Sequence, residues 1–336
     1  MDTQRSQSGS PQQLIDPFGR SIDYVRLSVT DRCDLRCFYC LPKGFNSFEE
    51  PEDWLTFDEI ERVIRAFGVL GTRRVRITGG EPLVRKNLPE LTRRLSQLPG
   101  IEDLSLSTNA VKLARHANDL HRGGIRRLNI SLDTLDPKKF QEITGGKLQK
   151  VLDGLMSAKD AGFSPIKINM VVMKDVNEHE VESMVDFCIK HDFTLRFIET
   201  MPMGDTGRDA VDHYVNLQTV RTKLEHRFKM IPGVMPGGGP ARYMRVVGTD
   251  LRVGFITPIS QHFCETCNRV RLSVDGTLYL CLGQNDKLEL RPLLREGISD
   301  SELQDAIRYA INLKPERHEF NEQPGQIVRF MSVTGG

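Results

Sequence analysis

The sequence of 336 residues has a single Trp, no apolar run of membrane-spanning length and almost no excess charge. Its 46 Lys and Arg residues are balanced by 45 Asp and Glu residues, which leaves a formal net charge of +1. Bulk electrostatics therefore give no reason to expect nucleic acid or a membrane surface as a partner. The sequence does not begin with a basic segment followed by an apolar one, so we expect a globular protein that stays in the cytoplasm.

Cysteine is also scarce, and the positions of the seven cysteines are informative. They are Cys33, Cys37 and Cys40, then Cys188 alone, then Cys264, Cys267 and Cys281. Disulfides are rare in a reducing compartment, and two groups of three are typical of metal ligands. We therefore predict two metal sites and place Cys188, which has apolar neighbours in a helical pattern, in the core.

Short β-rich segments alternate with amphipathic helical patterns over most of the chain. The predicted strands cover residues 24–29, 73–78, 103–107, 127–131, 167–173 and 194–198. One helix is predicted to begin at a capping box formed by Thr56 and Glu59. A βα unit repeated six times implies a parallel sheet with right-handed crossovers. We therefore predict an α/β fold, an incomplete (β/α)6 barrel of the TIM type.

The pattern divides the chain into three parts. Residues 1–13 are polar and expected to be disordered, and residues 14–230 form the barrel. Residues 231–241 are too rich in Gly and Pro for a helix or a central strand and are predicted to be a flexible connection. The region 231–336 then carries the second cysteine group, with strands at 243–247, 251–255 and 270–274, a helix at 301–311 and a terminal Gly335-Gly336.

Cys33, Cys37 and Cys40 are spaced to hold an iron–sulfur cluster. Three thiolates on a [4Fe–4S] cluster leave one iron open, which the amino and carboxylate groups of S-adenosylmethionine could chelate. One electron into the sulfonium would then release a 5′-deoxyadenosyl radical. Zinc and three ordinary cysteines are the alternatives, but Cys-x3-Cys-x2-Cys lacks the paired Cys-x2-Cys spacing of structural zinc.

Residues 30–40, TDRCDLRCFYC, occur together with TGGEP at residues 78–82. This pair of motifs resembles the radical S-adenosylmethionine (radical SAM) superfamily. Gly79 and Gly80 allow backbone to approach a ligand closely, and Glu81 could bind the methionyl ammonium group. The resemblance implies the partial barrel and a radical-generating cluster held by the first three cysteines.

Polar residues follow the predicted strands at the edge where the ligands of βα barrels gather. These are the first cysteine loop, TGGEP, residues 107–109, Ser131 with Asp133, and Glu199 with Met201. Arg26, Arg76 and Lys167 interrupt apolar strands, and Asn169 shares the face of Lys167. Each cation could be exposed at a strand end, but three facing one cavity would favour a small polyanionic substrate.

Cys264, Cys267 and Cys281 fit either a zinc site completed by His262 or a second cluster, and the spacing alone does not decide between them. The segment from Cys264 through Asn268-Arg269-Val270-Arg271 to Cys281 is similar to the GTP 3′,8-cyclase family of molybdenum-cofactor biosynthesis. The similarity runs from residue 16 to residue 336. It implies a second [4Fe–4S] cluster whose open iron binds the guanine of GTP.

The family resemblance also implies the roles of individual residues, with the radical supplied by the cofactor rather than by a catalytic side chain. S-adenosylmethionine would contact Tyr39, Gly80, Ser131 and Met201. GTP would contact Arg26, Arg76, Ser107, Lys167, Arg269, Val270 and Arg271. Position 107 is often Thr in the family, and Ser107 keeps the hydroxyl. The Gly335-Gly336 tail would reach into the site.

The resemblance further implies an external electron donor and transfer of the product to the cyclic pyranopterin monophosphate synthase, and it leaves a homodimer open. Two other interpretations compete with it. One is a radical SAM enzyme with an auxiliary cluster that acts on a peptide, in which the strand cations would be structural. The other is a zinc-stabilised, non-catalytic scaffold that assembles cofactor-synthesis partners.

Overall fold

The computed structural model describes residues 13–42 and 44–335. The segment expected to be disordered lies outside these residues except for residue 13, and so does Gly336. No helix in the described ranges is long and apolar enough to cross a lipid bilayer.

Six parallel strands in chain order form the centre of the sheet, which confirms the predicted βα succession. They are β1 (Tyr24–Ser28), β2 (Arg74–Thr78), β3 (Asp103–Thr108), β4 (Arg127–Ser131), β5 (Ile166–Val171) and β6 (Thr194–Ile198). Each pairs in parallel with the next, from Tyr24 opposite Arg74 to Val171 opposite Ile198. The bounds differ from the predicted ones by at most two residues, as expected where pairing, not propensity, ends a strand.

The helices that follow these strands cover one face of the sheet. They are α1 (Phe57–Val69), α2 (Leu88–Ser96), α3 (Leu113–Arg122), α4 (Pro137–Thr144), α5 (Leu148–Asp160) and α6 (Val181–His191). The predicted capping box is present at α1, where the Thr56 hydroxyl accepts from the Glu59 amide at 3.2 Å and the Glu59 carboxylate accepts from the Thr56 amide at 2.7 Å.

The part of the chain after β6 extends the same sheet at both ends. Its strands are β7 (Met230–Gly233), β8 (Arg242–Val246), β9 (Arg252–Ile256), β10 (Arg269–Leu272), β11 (Thr277–Tyr279) and β12 (Lys287–Glu289). Its helices are α7 (Gly204–Asp209), α8 (Leu217–Arg227), α9 (Leu290–Arg295), α10 (Asp300–Asn312) and α11 (Met331–Thr334). β9 pairs in parallel with β6, and β10 pairs in parallel with β1. The described sheet has 12 strands and places the second cysteine group beside the first strand.

The prediction of a flexible connection over residues 231–241 is wrong for its first three residues. They belong to β7, which pairs antiparallel with β8 and lies at the end of the sheet. Pro232 is tolerated there because an edge strand does not need every backbone N–H for its ladder. The Gly-rich residues 234–241 carry no strand or helix.

Alternation along β1 separates the core from the site. Val25 and Leu27 are fully buried in the apolar core that also contains Phe67 of α1. Arg26, between them, points to the opposite face because successive strand residues alternate. Cys188 is fully buried in the same core, as predicted.

Candidate active site

The first cysteine group lies in a cavity at the carboxyl ends of the central strands, here named the cluster cavity. Its lining includes Cys33, Cys37, Cys40, Tyr39, Gly79, Gly80, Glu81, Ser107, Thr108, Asn109, Ser131, Asp133 and Met201. The parallel strands bring these residues together because their carboxyl ends all meet at one rim. Residues separated by more than 150 positions thus surround one space.

The Gly79-Gly80 turn is packed against the loop that carries the first cysteines. The Gly80 amide donates to the Thr30 carbonyl oxygen and the Glu81 amide to that of Arg32, both at 2.8 Å. A Cβ atom on Gly80 would lie 2.4 Å from the Arg32 carbonyl oxygen, so no larger residue fits without movement of the backbone. The turn therefore fixes the cysteine loop against the end of β2.

Glu81 is 1% exposed and accepts hydrogen bonds from the Thr108 hydroxyl at 2.7 Å and from the amides of Asn109 at 2.6 Å and Leu83 at 3.0 Å. Burial raises its pKa to about 7 despite these donors. The carboxyl group thus holds the ends of β2 and β3 in register at the rim of the cluster cavity.

The three thiols in this cavity fit an iron–sulfur cluster. Burial raises the pKa of both Cys33 and Cys40 to about 12 and that of Cys37 well above its usual value, so the free thiols stay protonated and need a metal to ionise. The Cys33 sulfur accepts from the Leu35 amide at 3.4 Å and faces the Asn109 amide group at 3.9 Å. Donors of this kind tune cluster sulfurs.

Tyr39 is held in place beside the cysteines. Its hydroxyl donates to Asp133 at 2.6 Å, and the other Asp133 oxygen accepts from the Val171 amide at 2.9 Å. Burial raises the pKa of Asp133 to about 6. This arrangement fixes the Tyr39 ring at the wall of the cavity.

A second cavity, here named the basic cavity, lies next to the first. Its lining includes Arg26, Arg76, Arg196, Arg269, Val270 and Arg271 together with Cys264, Cys267 and Cys281. Lys167 is not part of this lining, although it is only 6% exposed and its amine lies 5.9 Å from the Tyr243 ring centre. Ser107 lines the cluster cavity instead.

The guanidinium groups in the basic cavity are buried without enough partners. Arg26 is 8% exposed, and its Nε and Nη2 atoms have no hydrogen-bond partner among the described residues. The Nε atoms of Arg76 and Arg269 are also buried without a hydrogen-bond partner among the described residues. Burial, then the nearby Arg271, lowers the pKa of Arg26 well below its usual value. Such groups are costly without an anion, so the cavity is built for a negatively charged ligand.

Arg196 on β6 was missed by the sequence interpretation. It is 2% exposed and donates to Asn169 at 2.8 Å and to Asn129 at 2.5 Å. Burial lowers its pKa to about 10. It interrupts an apolar strand as Arg26 and Arg76 do, and that shared pattern could have identified it.

The second cysteine group is surrounded by cations. The Cys264 carbonyl oxygen accepts from Arg20 at 2.9 Å, and that of Cys281 accepts from Arg329 at 3.1 Å. Burial opposes ionisation of Cys267, but the charges of Lys314 and Arg269 outweigh it and lower the pKa of this thiol. Burial raises the pKa of Cys264 and Cys281, so these two thiols, like the first three, need a metal to ionise, and the group also fits a cluster.

No three His, Cys, Asp or Glu side chains in residues 13–42 and 44–335 surround a single-ion site. A cubane does not need that convergence because each cysteine bonds a different iron. His262 does not line the basic cavity. His318 does, and its ring centre lies 6.2 Å from the ring centre of His262.

The two cavities share a wall formed by Asn169, Ile198, Met201 and Met331. The tail reaches the cluster cavity, because a Cβ atom on Gly335 would lie 2.2 Å from the side chain of Thr78, which lines that cavity at the end of β2. Ligands in the two cavities would therefore face each other across a few side chains.

Comparisons with known proteins agree with this architecture. A model of the radical SAM superfamily matches residues 27–188, and one named Molybdenum Cofactor Synthesis C matches residues 193–320. Crystal structures of Streptococcus suis SuiB have the same fold, at 17% identity. The one bound to S-adenosylmethionine covers 86% of this chain and 68% of its own, with a TM-score of 0.58. The match to the structure bound to the precursor peptide SuiA covers 94% of this chain and 76% of the SuiB chain, with a TM-score of 0.59.

Curated relatives are much more similar. The GTP 3′,8-cyclase of Rhizobium leguminosarum bv. trifolii is 47% identical over 331 residues, 96% of this chain and 94% of its own. That of Hydrogenovibrio crunogenus is 46% identical over 329 residues, 96% and 99% of the two chains. That of Paracoccus denitrificans is 47% identical over 331 residues, 96% of each. With the motifs and the barrel in place, this identity over nearly the whole length shows that the chain belongs to the GTP 3′,8-cyclase family of radical SAM enzymes.

Proposed function

We propose that this chain converts GTP into (8S)-3′,8-cyclo-7,8-dihydroguanosine 5′-triphosphate, the first step of molybdenum-cofactor biosynthesis. The observation that carries the proposal is the basic cavity, where buried and unpartnered guanidinium groups adjoin the cluster cavity. The names of the curated relatives give the same substrate.

As a member of the radical SAM superfamily, the chain binds a [4Fe–4S] cluster and S-adenosylmethionine. When bound and reduced, the two supply a 5′-deoxyadenosyl radical that removes hydrogen from C3′ of GTP. We assign the cluster to Cys33, Cys37 and Cys40, and the S-adenosylmethionine contacts to Tyr39, Gly80, Ser131 and Met201. The fixed Tyr39 ring and the Gly80 turn supply a rigid wall for that cofactor.

The triphosphate would be neutralised by Arg26, Arg76 and Lys167. Arg26 and Arg76 lie opposite each other on the paired strands β1 and β2, and Lys167 lies on β5. Guanidinium forks match phosphate oxygens, and burial strengthens the attraction. Arg269, Val270 and Arg271 on β10 and Ser107 on β3 complete the proposed GTP contacts. Held this way, ribose faces the wall shared with the cluster cavity, and water is kept from the reacting carbon.

A second [4Fe–4S] cluster, held by Cys264, Cys267 and Cys281, would bind the guanine and orient C8 towards C3′. These cysteines line the same cavity as Arg26 and Arg76, two of the three proposed triphosphate ligands, which supports the assignment. Closing the ring and completing the product require one further electron and one proton.

The family resemblance carries further proposals about the surroundings of the reaction. The electron comes from an external donor, and the product passes to the cyclic pyranopterin monophosphate synthase. The reaction takes place in the cytoplasm, where thiols stay reduced. A homodimer is compatible with these proposals.

The test is anaerobic incubation of the reconstituted protein with S-adenosylmethionine, GTP and reductant, followed by product identification. We expect 5′-deoxyadenosine and the cyclised triphosphate together. Formation of 5′-deoxyadenosine without a GTP-derived product would refute the substrate.

Metal analysis tests the second cluster separately. Two cubanes predict about eight irons per chain. Stoichiometric zinc with about four irons would refute the second cluster and favour a structural zinc site.

A further inference from the structure

A cleft on the surface lies directly behind the loop that carries the first cysteines. It opens between the N-terminal ends of α3 and α5, two helices that pack side by side. Four cations line it, Lys112, Arg115, Lys147 and Lys150, against two carboxylates, Asp34 and Asp153. The whole chain has a net charge of only +1, so positive charge is concentrated here.

Most of these cations have no counterion among the residues that the structure describes. Arg115, Lys147 and Lys150 are exposed, and none forms an ion pair with another described residue. Only Lys112 has an ion-pair partner, Asp34, at 4.0 Å. The first turns of α3 and α5 contain no acidic residue, although acids stabilise that end of a helix. Because basic residues at these helix N-termini do not stabilise the helices, we infer that they serve binding.

The floor of the cleft is the cysteine loop itself. Leu35, between Cys33 and Cys37, lines both the cleft and the cluster cavity. A Cβ atom on Gly146 would lie 2.5 Å from the Leu35 side chain, so the loop and the cleft wall are in direct contact. The amides of Arg36 and Phe38 also donate to the carbonyl oxygens at the end of α4, at 2.9 and 3.1 Å. Leu35 is thus shared by the linings of the cleft and the cluster cavity.

We propose that this cleft, defined by Lys112, Arg115, Lys147 and Lys150, is the docking surface for an acidic one-electron carrier protein that reduces the first cluster. The proposal rests on the proposed function in one respect, that this cluster must be reduced from outside. One electron leaves the reduced carrier and reaches the sulfonium of S-adenosylmethionine. The bond between sulfur and C5′ breaks, giving methionine and the 5′-deoxyadenosyl radical, and the carrier is oxidised by one electron.

The geometry makes the cleft a suitable entry point. An acidic carrier is attracted by the unpaired cations, and such steering raises association rates by about 10- to 1,000-fold at low salt. Docking there brings the carrier's redox group against the back of the cysteine loop without entering the substrate cavities. The carrier therefore does not compete with either ligand for space.

The test reverses the charge of the cleft in Arg115→Glu/Lys147→Glu/Lys150→Glu. Glu is favourable at the N-terminal ends of α3 and α5, so the fold should be kept. The matched control, Lys223→Glu/Lys229→Glu/Arg245→Glu, makes the same change in net charge at exposed positions on α8, after it and on β8. The reductants are dithionite, which needs no docking surface, and reduced flavodoxin as the acidic carrier.

The measured quantity is 5′-deoxyadenosine formed without GTP, so failure of the proposed substrate would not affect it. We expect the cleft variant to react at least about tenfold more slowly with flavodoxin at low salt, and as fast as the unmodified protein with dithionite. The control variant should match the unmodified protein with both. Equal losses with both reductants, or no loss with flavodoxin, would overturn the proposal.

Binding supplies a readout that does not depend on turnover. Calorimetric titration of the holoenzyme with oxidised flavodoxin should show association that weakens with salt and is lost in the cleft variant. Carbodiimide should cross-link flavodoxin carboxylates to Lys147 or Lys150. Cross-links confined to other lysines, or a cleft that binds a DNA duplex and not flavodoxin, would contradict it.

Discussion

The Nη1 atom of Arg271 donates a hydrogen bond of 2.8 Å to the carbonyl oxygen of Gly335. Because Arg271 lines the basic cavity, this bond ties the tail to the wall of that cavity. Arg271 is 6% exposed, and burial lowers its pKa to about 10. The Gly335 carbonyl oxygen therefore supplies a hydrogen-bond acceptor to this buried guanidinium group.

Replacing Gly335 should disturb this contact. In Gly335→Ala the new Cβ would lie 2.2 Å from the Thr78 side chain, and the φ of +71° is strained for any residue with a side chain. We expect GTP conversion to fall by about tenfold or more, since strain of roughly 1–3 kcal/mol would displace the tail. The matched control is Gly325→Ala, where nothing lies within 4 Å. Equal rates in both variants would contradict a role for the docked tail.

Replacing Gly80 should prevent assembly of the first cluster. In Gly80→Ala the added Cβ would lie 2.4 Å from the Arg32 carbonyl oxygen, which would push the cysteine loop away from β2. We expect about four irons per chain instead of about eight, and no cleavage of S-adenosylmethionine. Gly239→Ala, with no atom within 4 Å, should retain all its iron. Full iron content in Gly80→Ala would show that the loop can adapt.

Arg26 and Arg20 should respond in opposite ways to the same substitution. Arg26→Met removes a buried cation without sufficient partners, and the unliganded protein should gain roughly 1–3 kcal/mol of stability while losing GTP binding. Arg20→Met leaves Asp16 without its ion-pair partner at 2.5 Å and should cost about 3–5 kcal/mol. Thermal unfolding and GTP titration measure both. A destabilised Arg26→Met would mean that this guanidinium is structural.

GTP affinity should depend on the protonation of Lys167. Burial, then the charge of Arg196, lowers its pKa from 10.5 to about 7. Because this folded value is below the unfolded one, Lys167 opposes folding most below pH 7, and the penalty declines as the pH rises towards 10.5. Triphosphate favours the charged amine, so binding should take up a proton and weaken as the pH rises above about 7.

Calorimetry in buffers of different ionisation enthalpy measures that proton uptake. Lys167→Met should bind GTP more weakly, and its GTP affinity should depend less on pH. Protonation of GTP itself contributes equally to the measurements on both proteins. The same proton uptake in both proteins would assign it to another group.

The sequence was sufficient for features that depend on neighbouring residues. The alternation of short β-rich and amphipathic segments predicted β1 to β6, and the Thr56–Glu59 capping box was recognised from four consecutive residues. The spacing of the first cysteines with TGGEP indicated the superfamily. These patterns are local, so secondary structure and motif chemistry could be determined without the fold.

Contacts across long stretches of chain required the tertiary structure. Pairing of β10 with β1 joins segments about 240 residues apart and places Arg269 and Arg271 opposite Tyr24 and Arg26. The strand at Met230–Gly233 and the burial of Arg196 also depend on neighbours that sequence periodicity does not specify. The same holds for the cleft behind Leu35. The sequence determined which charged and sulfur-bearing groups are present. The pairing order of the strands decided which of them share a cavity, because only burial beside one another makes their unpaired charges a binding site.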